Sequence, residues 1–156
     1  MLKKILSPKT CADCRICCVF DRSDVWETPM LTAELCEEIT RRFGNIPFTR
    51  RGDGMTFDME FTADGLSTCP MLGENGCMLG DDKPFCCRIW PFRLMNTDGG
   101  VSLTLSPLCE KVGSAGDENV RKFVDSGFSD TVFAYAKEHP EIIREYDPAY
   151  KTIITK

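Results

Sequence analysis

The stretch Cys11-Ala12-Asp13-Cys14-Arg15-Ile16-Cys17-Cys18 sets four of the chain's ten cysteines within eight positions, and its reading decides how the rest must fold. So dense a run of thiols is not ordinary core packing. A Cys-x-x-Cys-x-x-Cys segment whose sulfurs converge on one metal cannot be a regular helix, so this loop is expected to be irregular and wrapped around its ligand. The adjacent pair Cys17 and Cys18 adds a constraint. Neighbouring side chains diverge, so the two are expected to serve two different metals, or one to bind while the other packs. Further along, Cys69, Cys77, Cys87 and Cys109 come at spacings that loops can fold back onto the first four. The predicted ligand set is therefore Cys11, Cys14, Cys17, Cys18, Cys69, Cys77, Cys87 and Cys109, about half of it in the opening cluster.

Two metal chemistries suit these thiols. Cys-x-x-Cys-x-x-Cys is the spacing with which ferredoxin-type loops wrap a [4Fe–4S] cluster, with a remote Cys-Pro supplying the fourth ligand, and Cys69-Pro70 offers that partner. Tetrahedral zinc sites more often draw on two separate Cys-x-x-Cys pairs, so the triple spacing leans toward an iron–sulfur cluster, with zinc left open. Residues 69 to 77 bring two cysteines together across a turn at Asn75-Gly76, a strong hairpin signal. The segment Lys83-Pro84-Phe85-Cys86-Cys87-Arg88-Ile89-Trp90-Pro91-Phe92 is expected to be extended by its prolines, with Trp90 and Phe92 read as core. Arg15, Lys83, Arg88 and Arg93 could offset thiolate charge and donate hydrogen bonds to sulfur.

At 156 residues the chain is long enough for one domain with an ordinary core besides any metal site. Its 42% hydrophobic and 28% charged residues match soluble globular proteins, which excludes a disordered chain. The formal net charge of -5 carries no clustered basic face and so gives no support to nucleic-acid binding. No apolar run approaches the ~20 residues of a membrane span. The start, Met1-Leu2-Lys3-Lys4-Ile5-Leu6-Ser7-Pro8, lacks the apolar length and cleavage site of a signal peptide, and the protein is expected to be cytoplasmic. A reducing cytosol keeps thiols reduced, which favours metal over disulfides.

Between the cysteines the pattern predicts an α+β fold. Thr32 to Phe43 reads as a helix with Thr32 as N-cap, an apolar face of Leu35, Ile39 and Phe43, and Gly44 at its end. Cys36 shares that face and is read as a small buried hydrophobe, not a ligand. Met55 to Phe61 alternates as a half-buried strand, with Ile46 to Thr49 as hairpin partner across Arg51-Gly52-Asp53-Gly54. A second hairpin turns at Asn96-Thr97-Asp98-Gly99-Gly100, between Phe92–Met95 and Val101–Leu105. After a loop at Lys111 to Gly116, Asp117 is placed to cap a helix carrying Val120, Phe123, Val124 and Phe128. Gly127 is expected to break it before a continuation through Val132, Phe133 and Ala136, and residues 150–155 form a last strand or arm. The helical C-terminal part spans residues 117–146.

Taken together these motifs resemble the CxxCxxCC cysteine-cluster family, described as zinc- or iron-chelating proteins. The resemblance spans residues 11 to 109 and rests on Cys11, Cys14, Cys17 and Cys18, on Cys69 and Cys77, on Pro84-x-x-Cys87-Arg88-x-x-Pro91, and on Cys109. Lys83-Pro84 stands where the family commonly has Arg-Pro, and Trp90-Pro91 where it has Phe-Pro. Cys86 is an extra thiol beside the position aligned with Cys87. The resemblance implies a chelated metal or iron–sulfur cluster. Some flagellin lysine N-methylases carry a similar cluster, but no glycine-rich motif for S-adenosylmethionine occurs in this chain. A cysteine nucleophile would need a base, and the only histidine, His139, sits in a Glu-His-Pro helix end where it is read as a dipole cap. The expectation is a metal-binding protein active in electron transfer, cluster carriage or binding of a redox or client protein. The alternatives are a structural zinc module for protein interaction and, last, an enzyme with an open iron site.

Overall fold

A computed structural model describes Leu2 and residues 6–156; the reading of the basic start at Met1, Lys3, Lys4 and Ile5 lies outside the described residues. The fold is α+β. Its contacts gather into two compact units: one spans Lys9–Cys87, and the other holds Arg88–Lys156 with the described residues before Lys9.

Helix α1, Pro8–Cys14, leads into the first unit at Lys9 and is followed by a short 3-10 turn at Ile16–Cys18 and strand β1, Val19–Asp21. The loop expected to be irregular is thus helical up to Cys14. The break falls at Arg15, whose φ of 59 puts it in the left-handed region that ends helices. Helix α2, Ala33–Phe43, begins at the predicted cap, where Thr32 Oγ1 accepts a hydrogen bond from Leu35 N at 3.3 Å, and Gly44 follows its last residue. Its inner face buries Ile39 completely and leaves Cys36 only 8% exposed.

Strands β2, Phe48–Arg51, and β3, Gly54–Phe57, form the first predicted hairpin, with Arg51 paired to Gly54. The strand stops four residues short of Phe61. Asp58 N still donates to Pro47 O, but Pro47 has no N–H to return, so the ladder cannot continue past it. Strand β4, Leu66–Thr68, pairs antiparallel with β1, a sheet absent from the sequence expectations. A tight hairpin of β5, Leu72–Gly73, and β6, Gly76–Cys77, follows. Its turn residues are Glu74 and Asn75, one position earlier than the Asn-Gly signal indicated. Phe20, Leu31, Ile39, Phe57, Met71 and Leu79 make the core of this unit, and Cys36 and Cys69 are buried among them.

Helix α3, Phe85–Ile89, corrects the extended reading of the proline segment: Pro84 starts a helix, its carbonyl accepting from Cys87 N at 3.0 Å. In the second unit β7, Phe92–Thr97, and β8, Gly100–Leu105, form the hairpin predicted around Asp98-Gly99. Helix α4, Glu110–Gly113, replaces part of the expected loop, and α5, Asp117–Phe123, is preceded by Gly116 rather than capped by Asp117. At Val124–Phe128 the helix kinks, with Ser126 and Gly127 (φ 95) outside helical geometry, before α6, Ser129–Glu138, so the predicted interruption falls at Gly127. Strand β9, Ile143–Glu145, adds parallel to β7, and β10, Lys151–Thr155, antiparallel to β8, giving a four-stranded sheet in the order β10-β8-β7-β9. Phe92, Phe123 and Phe128 pack as a trio with centroids 4.7 to 6.1 Å apart, each ring contributing roughly 1.5–3 kcal/mol by its burial. Among the described residues no helix is long and apolar enough to cross a membrane.

Candidate metal centre

Four of the predicted ligands meet in the first unit, and strand geometry explains how. Cys18 precedes β1 and Cys69 follows β4. Cys69 N donates to Cys18 O at 2.8 Å, extending the ladder one rung past the pair Val19–Thr68. Along each strand the side chains alternate, and Phe20 and Ser67, two residues from Cys18 and Cys69, are both buried. The two thiols therefore share the inward face. Leu72 N then donates to Cys69 O, and the β5–β6 hairpin pairs Leu72 with Cys77, folding Cys77 back beside Cys69. Cys17 comes from the 3-10 turn, with its Sγ 3.9 Å from that of Cys18. The expected divergence of the vicinal pair is overturned: the tight turn swings both sulfurs to one side.

Their electrostatics report the same proximity. The hydrogen bond with Cys17 holds Cys18 below the ordinary thiol value, aided by the Lys83 ammonium and opposed by burial and by the charges of Cys69 and Cys77. Burial pushes Cys69 up to about 11, with Cys77 and Cys17 adding repulsion and the N–H of Met71 working against them. Desolvation alone raises Cys36, a thiol in a hydrophobic core.

The donor set is chemically suited to a soft metal, since four thiolates match zinc or iron–sulfur coordination. A tetrahedral zinc site with zinc–sulfur bonds of about 2.3 Å has ligand sulfurs about 3.8 Å apart, close to the Cys17–Cys18 separation. Among the described residues, no three His, Cys, Asp or Glu side chains already stand in metal-holding geometry. The thiols are gathered but not drawn in.

Cys11 and Cys14 are exposed on α1, Cys87 is half-buried on α3, and Cys109 is buried in the second unit, just before α4. Cys86 is buried and its Sγ donates to Met30 O at 3.7 Å. His139 ends α6, where its ring stacks on Tyr135 and its Nδ1 lies 3.1 Å from Glu141 Oε1.

Two positioning residues escaped the sequence reading. Arg15 was expected to reach sulfur, but its Nε donates to Ala12 O at 3.0 Å and its Nη2 to Glu74 O, tying the end of α1 to the hairpin that carries Cys77. Gly76 sits where a Cβ would come within 3.1 Å of the Ala12 Cβ, so the bare hairpin backbone packs against the Ala12 methyl of the helix. The Asn-Gly dipeptide signalled a turn there, but nothing local foretold the contact with Ala12. No family model, no curated protein and no solved structure matches the chain.

Proposed function

We propose that this chain is a cytoplasmic zinc-binding protein whose centre is formed by the thiolates of Cys17, Cys18, Cys69 and Cys77. The observation that carries this reading is the Cys17–Cys18 separation of 3.9 Å, which suits two ligands on one ion, together with the repulsion that Cys69 and Cys77 exert on Cys18. The resemblance to the CxxCxxCC family supports the same chemistry. Bound zinc would supply a fixed cross-link between residues 17–18 and 69–77, and Lys83 would offset part of the charge of the thiolates. The role that follows is structural: a consolidated surface for a client protein, without turnover.

A second reading, an iron–sulfur protein in electron transfer or cluster carriage, is favoured by the Cys-x-x-Cys-x-x-Cys spacing with Cys69-Pro70. It draws on Cys11 and Cys14, and so requires α1 to unwind. Purification without oxygen, followed by zinc, iron and acid-labile sulfide per chain and a visible spectrum, separates the two. Stoichiometric zinc in a colourless protein supports the first reading, whereas a brown protein with matched iron and sulfide overturns it.

A further inference from the structure

Cys11 and Cys14 differ from the four central thiols in their access to solvent. Both are exposed, while Cys17, Cys18 and Cys77 are half-buried and Cys69 is buried. Both lie on α1, one turn apart at positions i and i+3, and so project from one face of the helix. Helical geometry sets their Cα atoms about 5 Å apart, inside the range a disulfide spans. Their Cβ atoms, at roughly 5–6 Å in a regular helix, must close to about 4 Å for the bond to form. The strain falls on the last turn of α1. That turn ends at the left-handed Arg15, whose N–H still bonds Cys11 O at 3.0 Å.

We propose that Cys11 and Cys14 form a dithiol–disulfide pair, separate from the four-thiol centre, which low-molecular-weight disulfides oxidise and whose closure loosens the centre's hold on its metal. The second half of this proposal rests on the zinc reading above; the first half does not.

The chemistry balances as ordinary thiol–disulfide exchange. The thiolate of one cysteine attacks a sulfur of glutathione disulfide, forming a mixed disulfide and releasing one glutathione thiolate. The thiolate of the other cysteine then attacks the sulfur of its neighbour and displaces the second glutathione. The two protons lost by the cysteines end on the two glutathiones, and the pair has given up the two electrons that reduced the disulfide. The coupling to the centre runs through Arg15. Its side chain holds both Ala12 O, inside the closing ring, and Glu74 O, on the turn leading to Cys77. Pulling Cys11 and Cys14 together displaces the Ala12 carbonyl and with it the clamp on that turn.

Trypsin tests this cleanly, because Lys9 and Arg15 bound a peptide, Thr10-Cys11-Ala12-Asp13-Cys14-Arg15, that contains both cysteines and no others. Zinc-loaded protein is titrated with glutathione disulfide while a colorimetric chelator follows zinc release. Remaining thiols are alkylated and the digest is weighed. The expected result is that this peptide appears unalkylated and lighter by two hydrogens before any other cysteine is lost, with zinc release rising several-fold in step. The doubly substituted C11S/C14S protein is expected to keep full zinc stoichiometry and to lose the oxidant-dependent release. Oxidation starting at Cys17–Cys18, or reduced zinc stoichiometry in the double variant, overturns the pair as a separate site. Disulfide formation without faster zinc release overturns the coupling alone. If the purified protein binds no zinc, the metal reading fails, and the peptide mass still decides whether the pair is redox-active.

Discussion

Single thiols in this chain are told apart by burial and by neighbours, not by spacing. Cys36 and Cys69 are both buried, yet only Cys69 faces other cysteines. Replacing Cys69 by Ser is therefore expected to abolish stoichiometric zinc, and Cys36→Ala to leave it intact while costing roughly 1 kcal/mol or more of core packing; metal analysis after gel filtration, paired with urea unfolding, distinguishes them. A loss of zinc in Cys36→Ala would move the centre into the core of α2. The same thiols set a pH dependence for the metal-free protein. With Cys69 raised from 9.0 to about 11, the folded chain keeps a proton that the unfolded chain gives up. Stability is then expected to be full below pH 9 and to fall as pH rises to about 11, by at most about 2–3 kcal/mol, with Cys36 acting in the same direction. The depressed Cys18 works oppositely: its contribution builds as pH rises through its lowered value and is fully present only above the ordinary thiol value. Urea midpoints from pH 8 to 11 on demetallated protein read this out, and a flat profile would mean that Cys69 is solvated.

At the scale of elements, the junction between α1 and the β5–β6 hairpin decides the centre. Arg15 holds a left-handed backbone that costs a side chain about 1 kcal/mol, and its hydrogen bonds offset that cost. Arg15→Ala loses the bonds and keeps the strain, while Arg15→Gly loses both. The glycine variant is therefore expected to be the more stable of the two by about 1 kcal/mol in denaturant unfolding, and the reverse order would mean that this residue is not left-handed. Gly76→Ala meets both a φ of 101 and the Ala12 Cβ, so it should destabilise by roughly 1–3 kcal/mol and reduce zinc retention. Elements built from local signals were legible in the sequence: α2 from its Thr32 cap and four-residue spacing, β7–β8 from Asp98-Gly99, and the interruption at Gly127. What escaped depended on distant partners. β1 and β4 are three-residue strands that exist because they pair across more than forty residues, and β9 joins β7 in parallel with no local turn to announce it. The α1 helix carries no signal in the sequence that outweighs the metal-loop spacing of Cys11 and Cys14.

For the whole molecule, the four thiols all belong to Lys9–Cys87, which gives metal removal a regional signature. Chelation is expected to lower amide protection in α2, β2–β3 and β1–β4 while leaving the sheet β10-β8-β7-β9 protected, as read by hydrogen exchange with and without a zinc chelator. Equal loss in both regions would contradict a centre confined to the first unit. Thiol density suggests metal chemistry in the sequence, but the approach of Cys18 to Cys69 depends on the β1–β4 register, which no spacing rule contains.

That register also puts the centre on a clock. Cys17 and Cys18 leave the ribosome about fifty residues before Cys69, a delay of roughly 3–10 s at ordinary elongation rates. During it α2 and the β2–β3 hairpin, both built from neighbouring residues, can form beneath an incomplete pair of thiols. On the zinc reading, a newborn chain would carry half a binding site through synthesis, and metal arriving early would meet a two-sulfur perch it could leave again. Durable capture would then wait for the hairpin bearing Cys77, so loading would follow synthesis of the first eighty or so residues rather than accompany it.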